Sequence, residues 1–248
     1  MKLSAIVLTK NEEKNIEKCL SSLSFVDEII VIDDFSTDKT VKLTKNYGAI
    51  VFFRRLNNNF AQQRNYALSK ARGEWVLFID ADEVVSVPLK NEIIQAINNP
   101  FSNIVGFYLK RKDIIWGKKL NFGETGKVKF LRLAKKNTGK WKRSVHEFWC
   151  VRGIKGDLHN ELYHYPHPSL KEFIKDINFQ SDLHSSANYW EGKKSNVIKI
   201  TFWPMGKFFN NWIMRWGFLD GSQGLIIALM MSLHSFLAWS KLWILQRK

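Results

Sequence analysis

An α/β fold is predicted: a Rossmann-like, doubly wound mixed sheet followed by a helical C-terminal extension. Three observations predict it. Over residues 1–100, short apolar runs alternate with amphipathic stretches, the pattern of a mainly parallel sheet with helices on both faces. Three of those runs end at once in polar or acidic residues: Thr9-Lys10-Asn11-Glu12, Asp33-Asp34 and Asp80-Ala81-Asp82. The last third changes composition. Six of ten tryptophans lie at or after Trp190, and from Lys193 to Lys248 eight Lys/Arg accompany a single acid, Asp220.

The elements follow in order. Leu3–Leu8 is apolar and strand-like, with no long apolar stretch or cleavage signal after it, so no secretory leader is predicted. Asn11 is expected to cap a helix in which Ile16, Cys19, Leu20 and Leu23 share one face. Glu28–Ile32 is a second strand, and Ser36 or Thr37 is expected to cap the short helix after it. Ala49–Phe53 is a third strand and Phe60–Ala71 a helix that Gly73 is placed to end. Trp75–Ile79 is a fourth strand, and Pro88 starts a helix reaching about Asn98. Beyond it the alternation breaks. Ile104–Lys110 and Lys127–Leu133 read as strands around a Gly- and Lys-rich link, 117–126, expected to cover the crevice; Leu170–Ser186 reads as a helix.

The formal net charge of +15 calls for an anionic partner. Two cysteines, Cys19 and Cys150, build no disulfide framework and no metal-ligand spacing. In the tail, Phe208, Phe209, Trp212, Ile213, Trp216 and Leu219 repeat at helical spacing, and Leu225–Trp239 is nearly uncharged. Tryptophans beside basic residues suit a membrane interface. A buried or dimer-forming helix and a true span are the other readings, the span requiring Lys241 to snorkel.

Asp80 and Asp82 are spaced i, i+2. If the extended geometry holds to Asp82, both carboxylates project from one face of a strand end. Two close carboxylates repel unless a cation or a donor lies between them. Mg²⁺ is often held by one or two carboxylates together with substrate phosphates, so this is a candidate site for a metal–diphosphate complex. A carboxylate at Asp34 can accept a hydrogen bond from a base or ribose.

Four motifs occur in order: Ile6-Val7-Leu8-Thr9-Lys10-Asn11-Glu12, Val31-Ile32-Asp33-Asp34-Phe35-Ser36-Thr37-Asp38, Gln62-Gln63-Arg64-Asn65 and Phe78-Ile79-Asp80-Ala81-Asp82. Together they resemble glycosyltransferase family 2, over roughly residues 1–165. More narrowly, Ser144-Val145-His146-Glu147 and Gly217-Phe218-Leu219-Asp220-Gly221 resemble the bacterial lipopolysaccharide-core β-glucosyltransferases. The resemblance implies a GT-A fold, a catalytic domain over 1–165 (a nucleotide-binding half, 1–100, and an acceptor half, 101–165) and a membrane-associating extension over 166–248. It implies inverting transfer of a hexose, glucose by the narrower match, from a UDP-sugar to a glycolipid such as the lipopolysaccharide core. The protein would then sit peripherally on the cytoplasmic face of the bacterial inner membrane, against an anionic surface.

Roles carry over residue by residue. Thr9 and Glu12 would touch the nucleoside, and Asp34 the uracil ring. Arg64 and Asn65 would flank the donor, and Asp80 would contact ribose or sugar. Asp82 would ligate Mg²⁺ or Mn²⁺; apart from the resemblance, His164 is the histidine expected to complete that metal site, a structural histidine being the alternative. Glu147, between apolar Val145 and Phe148-Trp149, is the expected general base. Many relatives have an acidic pair where this chain has His146-Glu147, so His146 stays open as an orienting group or ligand. Asp113 and Glu124 are weaker acidic candidates. His159, His164 and His167 lack zinc-site spacing. No nucleic acid is expected as partner, because acids at the strand ends repel a phosphodiester backbone. A nucleic-acid-binding protein, a metal-dependent nuclease and a non-catalytic membrane scaffold are the alternatives.

Overall fold

The computed structural model describes residues 1–126, 128–144 and 147–247. The chain divides into two compact units, one made of 1–111 and 129–164, the other of 112–128 and 165–248.

The first unit is built on strands β1 (Leu3–Thr9), β2 (Glu28–Asp33), β3 (Ile50–Phe53), β4 (Trp75–Asp80) and β5 (Glu83–Val85), with helices α1 (Ile16–Ser22), α2 (Thr40–Asn46), α3 (Phe60–Lys70) and α4 (Val87–Asn98). β6 (Ile104–Ile115), β8 (Lys129–Lys135), β9 (Gly139–Lys142), β10 (Phe148–Val151) and β11 (Ile154–His164) follow, and β7 (Lys118–Lys119) pairs with the far end of β6. The sheet order is β3-β2-β1-β4-β8-β6-β11-β5. β1, β2, β3 and β4 run parallel, whereas β8 joins β4 antiparallel and β5 joins β11 antiparallel. The sheet is therefore mixed.

Period-two alternation buries both faces. Ala5, Val7, Val31, Leu77 and Ile79 meet Ile16, Cys19 and Leu20 of α1 and Leu89 and Ile93 of α4. Ile6, Ile30, Ile32, Val76 and Phe78 meet Ala67 and Leu68 of α3, closed over by Trp141 and Trp149.

Three local expectations are corrected. Asn11 does not cap α1; it takes a left-handed φ of 57°, and its Oδ1 accepts from Thr37 N at 2.8 Å, tying the β1 loop to the β2 loop. Neither Ser36 nor Thr37 caps α2: Ser36 Oγ donates to Asp33, and Asp38 Oδ1 accepts from Thr40 N at 2.9 Å. Gly73 does not end α3, whose C-cap is extended Ala71. A Cβ on Gly73 would lie 2.7 Å from Ser4 N, so the glycine permits a close backbone approach to β1.

The second unit contains α5 (Leu170–Trp190), α6 (Val197–Phe209), a π-turn over Asn210–Met214, a 3-10 turn over Gly217–Asp220 and α7 (Gly221–Leu245). Phe173 and Ile177 of α5 pack with Ile227 and Met230 of α7 and with Ile115 and Leu120. Buried Asp220 accepts from Asn121 N and Phe122 N (2.8 Å to the latter), which pins the link after β7 to the 3-10 turn. Buried Lys112 donates to Gly126 O at 2.8 Å and to Asn121 Oδ1 at 3.2 Å. The stretch Gly217–Leu245 is long and apolar enough to cross a membrane by length and composition.

Candidate active site

The parallel strands deliver their carboxyl ends side by side. Thr9 stands in register with Asp33, and Leu8 with Asp80. The loops after β1, β2 and β4 therefore open at one sheet edge. Thr9 is buried and its hydroxyl donates to Asp33 Oδ2 at 3.0 Å. Asp34 accepts from Lys10 Nζ at 2.8 Å and from Leu56 N at 3.2 Å. Glu12 accepts from Asn15 Nδ2 at 2.9 Å, and its own N–H donates to Thr40 Oγ1 at 2.7 Å.

Asp80 and Asp82 have different surroundings. β4 ends at Asp80 and a turn follows, so the extended geometry does not hold to Asp82. Asp80 faces two guanidinium groups. Arg64 Nη2 donates to its Oδ1 at 2.8 Å and Arg132 Nη2 to its Oδ2 at 2.6 Å. Burial alone would raise the Asp80 carboxyl, but Arg132 and then Arg64 outweigh it and hold that carboxyl far below the usual range. Arg132 is in turn held more firmly protonated, because Asp80 and Glu83 outweigh its own burial. Asp82 lies across from β11. Because His164 stands in register with Glu83, its Nε2 comes 3.2 Å from Asp82 Oδ2.

Arg64 links this pair of sites to the expected base. Its Nε donates to Glu147 Oε1 at 2.9 Å while its guanidinium lies 4.7 Å from the Trp141 ring centroid and 5.6 Å from that of Phe78. Trp141 stacks on Trp149 at 5.5 Å. Asn65 holds that wall in place: its Nδ2 donates to Trp141 O and its Oδ1 accepts from Trp141 N, both at 2.9 Å. The open role of His146 lies outside the described residues. Glu124 is in the second unit, paired with Lys207 at 2.7 Å, as is buried Asp113.

Sequence reasoning passed over three participants. Arg132 is a buried arginine between Leu131 and Leu133 on β8; a charge inside an apolar strand demands a buried partner, and that was its signal. Glu83 is fully buried and accepts from Asp80 N at 2.9 Å. Burial first, and then the Asp80 charge, push its carboxyl up. Cys19 forms the floor, its Sγ 3.5 Å from Asp80 O, with a thiol pushed well up by burial and by Glu83, Asp82 and Asp80.

Among the described residues no group of three or more His, Cys, Asp or Glu side chains could hold a metal unaided. Asp82 and His164 offer one carboxylate and one imidazole. Such a pair suits Mn²⁺ or Mg²⁺ if substrate oxygens complete the shell.

The family model for glycosyl transferase family 2 matches residues 4–153. The chain is 28% identical over 252 residues to the lipopolysaccharide core biosynthesis glycosyltransferase LpsC of Rhizobium meliloti, covering 97% of this chain and 92% of LpsC. It is also 28% identical to an uncharacterized glycosyltransferase of Rickettsia bellii, covering 97% of this chain and 86% of that one. In structure it is similar to S. aureus TarS 1-349 in complex with UDP-GlcNAc, with a TM-score of 0.51 at 16% identity, covering 100% of this chain and 92% of TarS 1-349. The fold is GT-A-like.

Proposed function

Because the chain belongs to glycosyl transferase family 2, we propose that it transfers a hexose, glucose by its motifs, from a UDP-sugar to a membrane glycolipid of the lipopolysaccharide-core class, with inversion. The observation that carries this reading is the register of β1, β2 and β4, which gathers Asp34, Asp80 and Asp82 at adjacent strand ends. The LpsC likeness over nearly the whole chain supports the acceptor class.

The residues divide the work. Asp34 receives the uracil edge beside Lys10, near Thr9 and Glu12, and Arg64 and Asn65 keep the wall of the donor site rigid. Asp80 acts on the donor through the two arginines that it orients. Asp82 and His164 would hold Mg²⁺ or Mn²⁺, which when bound neutralises charge on the diphosphate.

Glu147 takes the proton of the attacking hydroxyl. That oxygen bonds to the anomeric carbon from the face opposite the diphosphate, and the carbon–phosphate-oxygen bond breaks with its electron pair leaving on UDP. One attack of this kind inverts the centre. Arg64 aims the Glu147 carboxylate through Oε1, and after proton transfer it keeps its bond to Asp80, so the guanidinium is never left unpaired.

Glu147→Gln tests this. The variant keeps UDP binding by calorimetry but loses about 10²–10⁴-fold in sugar transfer, the usual contribution of a general base. Unchanged transfer removes Glu147 from that role.

A further inference from the structure

Taking the membrane acceptor proposed above as its starting point, we infer that α6 and the turns after it are the membrane-docking face, bound to anionic lipid, and that α7 is a strut tied to α5 and α6 rather than a span. On α6, Ile198, Phe202, Met205 and Phe209 recur at i, i+4, i+7 and i+11, and all four are exposed. The pattern makes one continuous stripe on a helix. A stripe of this kind normally turns inward; here it turns outward. The inward side of α6 carries buried Pro204, whose carbonyl accepts from Ser232 Oγ of α7 at 2.8 Å. The apolar surface continues through exposed Met214 and Trp216 in the turns.

Charge selects the occupant. Lys194 and Arg215 are exposed at the two ends of this surface. The single acid between Lys193 and Lys248 is Asp220, and it is buried on backbone amides. The nearby acids are already paired, Glu191 with Lys193 and Glu124 with Lys207, and exposed cations beside apolar side chains fit phosphate headgroups over acyl chains.

The long helix α7 is differently placed. Lys241, which a span would have to carry into the bilayer, pairs with Asp182 at 2.7 Å and donates to Asn178 O and Ser181 Oγ of α5, both at 2.8 Å. Gly224 closes against the 3-10 turn, where a Cβ would collide with Gly217 O. Inserting α7 alone would break these contacts and carry Lys241 into the bilayer without its Asp182 partner, which stays on α5.

The test is flotation of the full chain with vesicles of phosphatidylcholine alone or mixed with phosphatidylglycerol. Wild type floats with the anionic vesicles and much less with the neutral ones, and high salt weakens it. The triple variant Phe202→Ser/Met205→Ser/Phe209→Ser loses at least about tenfold in vesicle affinity. Lys194→Gln with Arg215→Gln loses roughly 25-fold on anionic vesicles, at roughly fivefold per charge. Both variants keep wild-type circular dichroism, because every changed side chain is on the surface. Wild-type flotation of the triple variant overturns the inference. So does a wild-type chain that fails to float, or one that forms dimers which the triple variant dissolves, since the stripe would then be a self-interface. UDP binding by calorimetry is read in parallel. A chain that binds UDP but no vesicles refutes the docking face alone, and one that binds vesicles but no UDP refutes the transferase reading alone.

Discussion

Replacing Arg64 with lysine keeps the charge and removes the fork. Arg64 is 4% exposed in its side chain and spans two carboxylates, with Nη2 at 2.8 Å from Asp80 and Nε at 2.9 Å from Glu147. An ammonium group is a point charge on a flexible stem and cannot reproduce that planar bridge. It keeps one partner and abandons the other, at about 1.5–3 kcal/mol for a hydrogen bond to a charged group. The stack over Trp141 adds about 1 kcal/mol. Asp80 is 30% exposed, so solvent screens part of the loss and the lower half of the range applies. Arg64→Lys therefore costs about 2.5–3 kcal/mol, or a fall in Tm of about 5–12 °C for a chain of this size. The pH dependence has a definite sign. The folded Asp80 carboxyl is depressed below its ordinary 3.8, so its ionic contribution is complete above that value and is lost as pH falls through the folded value. Arg64→Lys weakens the depression, so the gap between wild type and variant is full near neutrality and narrows on acidification below about pH 4. Thermal unfolding followed by circular dichroism across a pH series reads both quantities. A neutral-pH gap under about 0.5 kcal/mol, or one that widens in acid, would refute the assignment of Arg64 as a bridge.

Glu83→Gln keeps an acceptor for Asp80 N and removes a carboxyl that burial pushes up from its ordinary 4.5. A raised folded value means that wild-type stability declines as pH rises from the ordinary value through the folded one, so the variant should match wild type within about 1 kcal/mol below that ordinary value and gain on it as pH rises through this window, levelling off above it; denaturant midpoints across pH settle it, and a variant that loses ground as pH rises counts against the raised carboxyl. Asp82→Asn should leave the Tm of the free protein nearly unchanged but abolish the part of the UDP-induced shift that requires Mn²⁺, about 5–10 °C at a hundredfold excess over Kd; a retained metal-dependent shift assigns the cation elsewhere.

The legible part of the fold was the part governed by local periodicity. Ile16, Cys19, Leu20 and Leu23 declared one helix face, and all four are buried. Pro88 declared the start of α4, where it stands in the first turn. The two capping errors share one cause: polar side chains near helix starts have more than one use. Asn11 and Ser36 have the chemistry of caps, but the pairing of β1 with β2 brings their loops together, and each satisfies the other loop instead: Asn11 N donates to Ser36 Oγ at 2.8 Å. Propensity has no information on such neighbours. β5 was missed because three residues, Glu83–Val85, carry no period, and only pairing with β11 defines them. The same pairing sets His164 beside Asp82, a contact between residues far apart in sequence.

The site shows why an Asp-x-Asp spacing alone does not settle roles. Were β4 extended through Asp82, the two carboxylates would share a face and a single cation could serve both. The strand ends at Asp80 instead, and the chain turns. Asp80 and Asp82 are about equally half-buried, so what separates them is their partners. Arg64 holds Asp80 Oδ1, and Arg132 holds Oδ2 and reaches Oδ1 at 3.5 Å, which keeps the carboxyl ionised. A carboxylate held by two arginines organises its surroundings: it fixes Arg64, and through Arg64 it fixes Glu147. Asp82 meets the His164 imidazole at 3.2 Å, a partner whose charge depends on its protonation, and is the better suited of the two acids to take a cation from solution. Removing Asp80 should therefore damage the fold and the aim of the base together, whereas removing Asp82 should damage metal-dependent nucleotide binding alone.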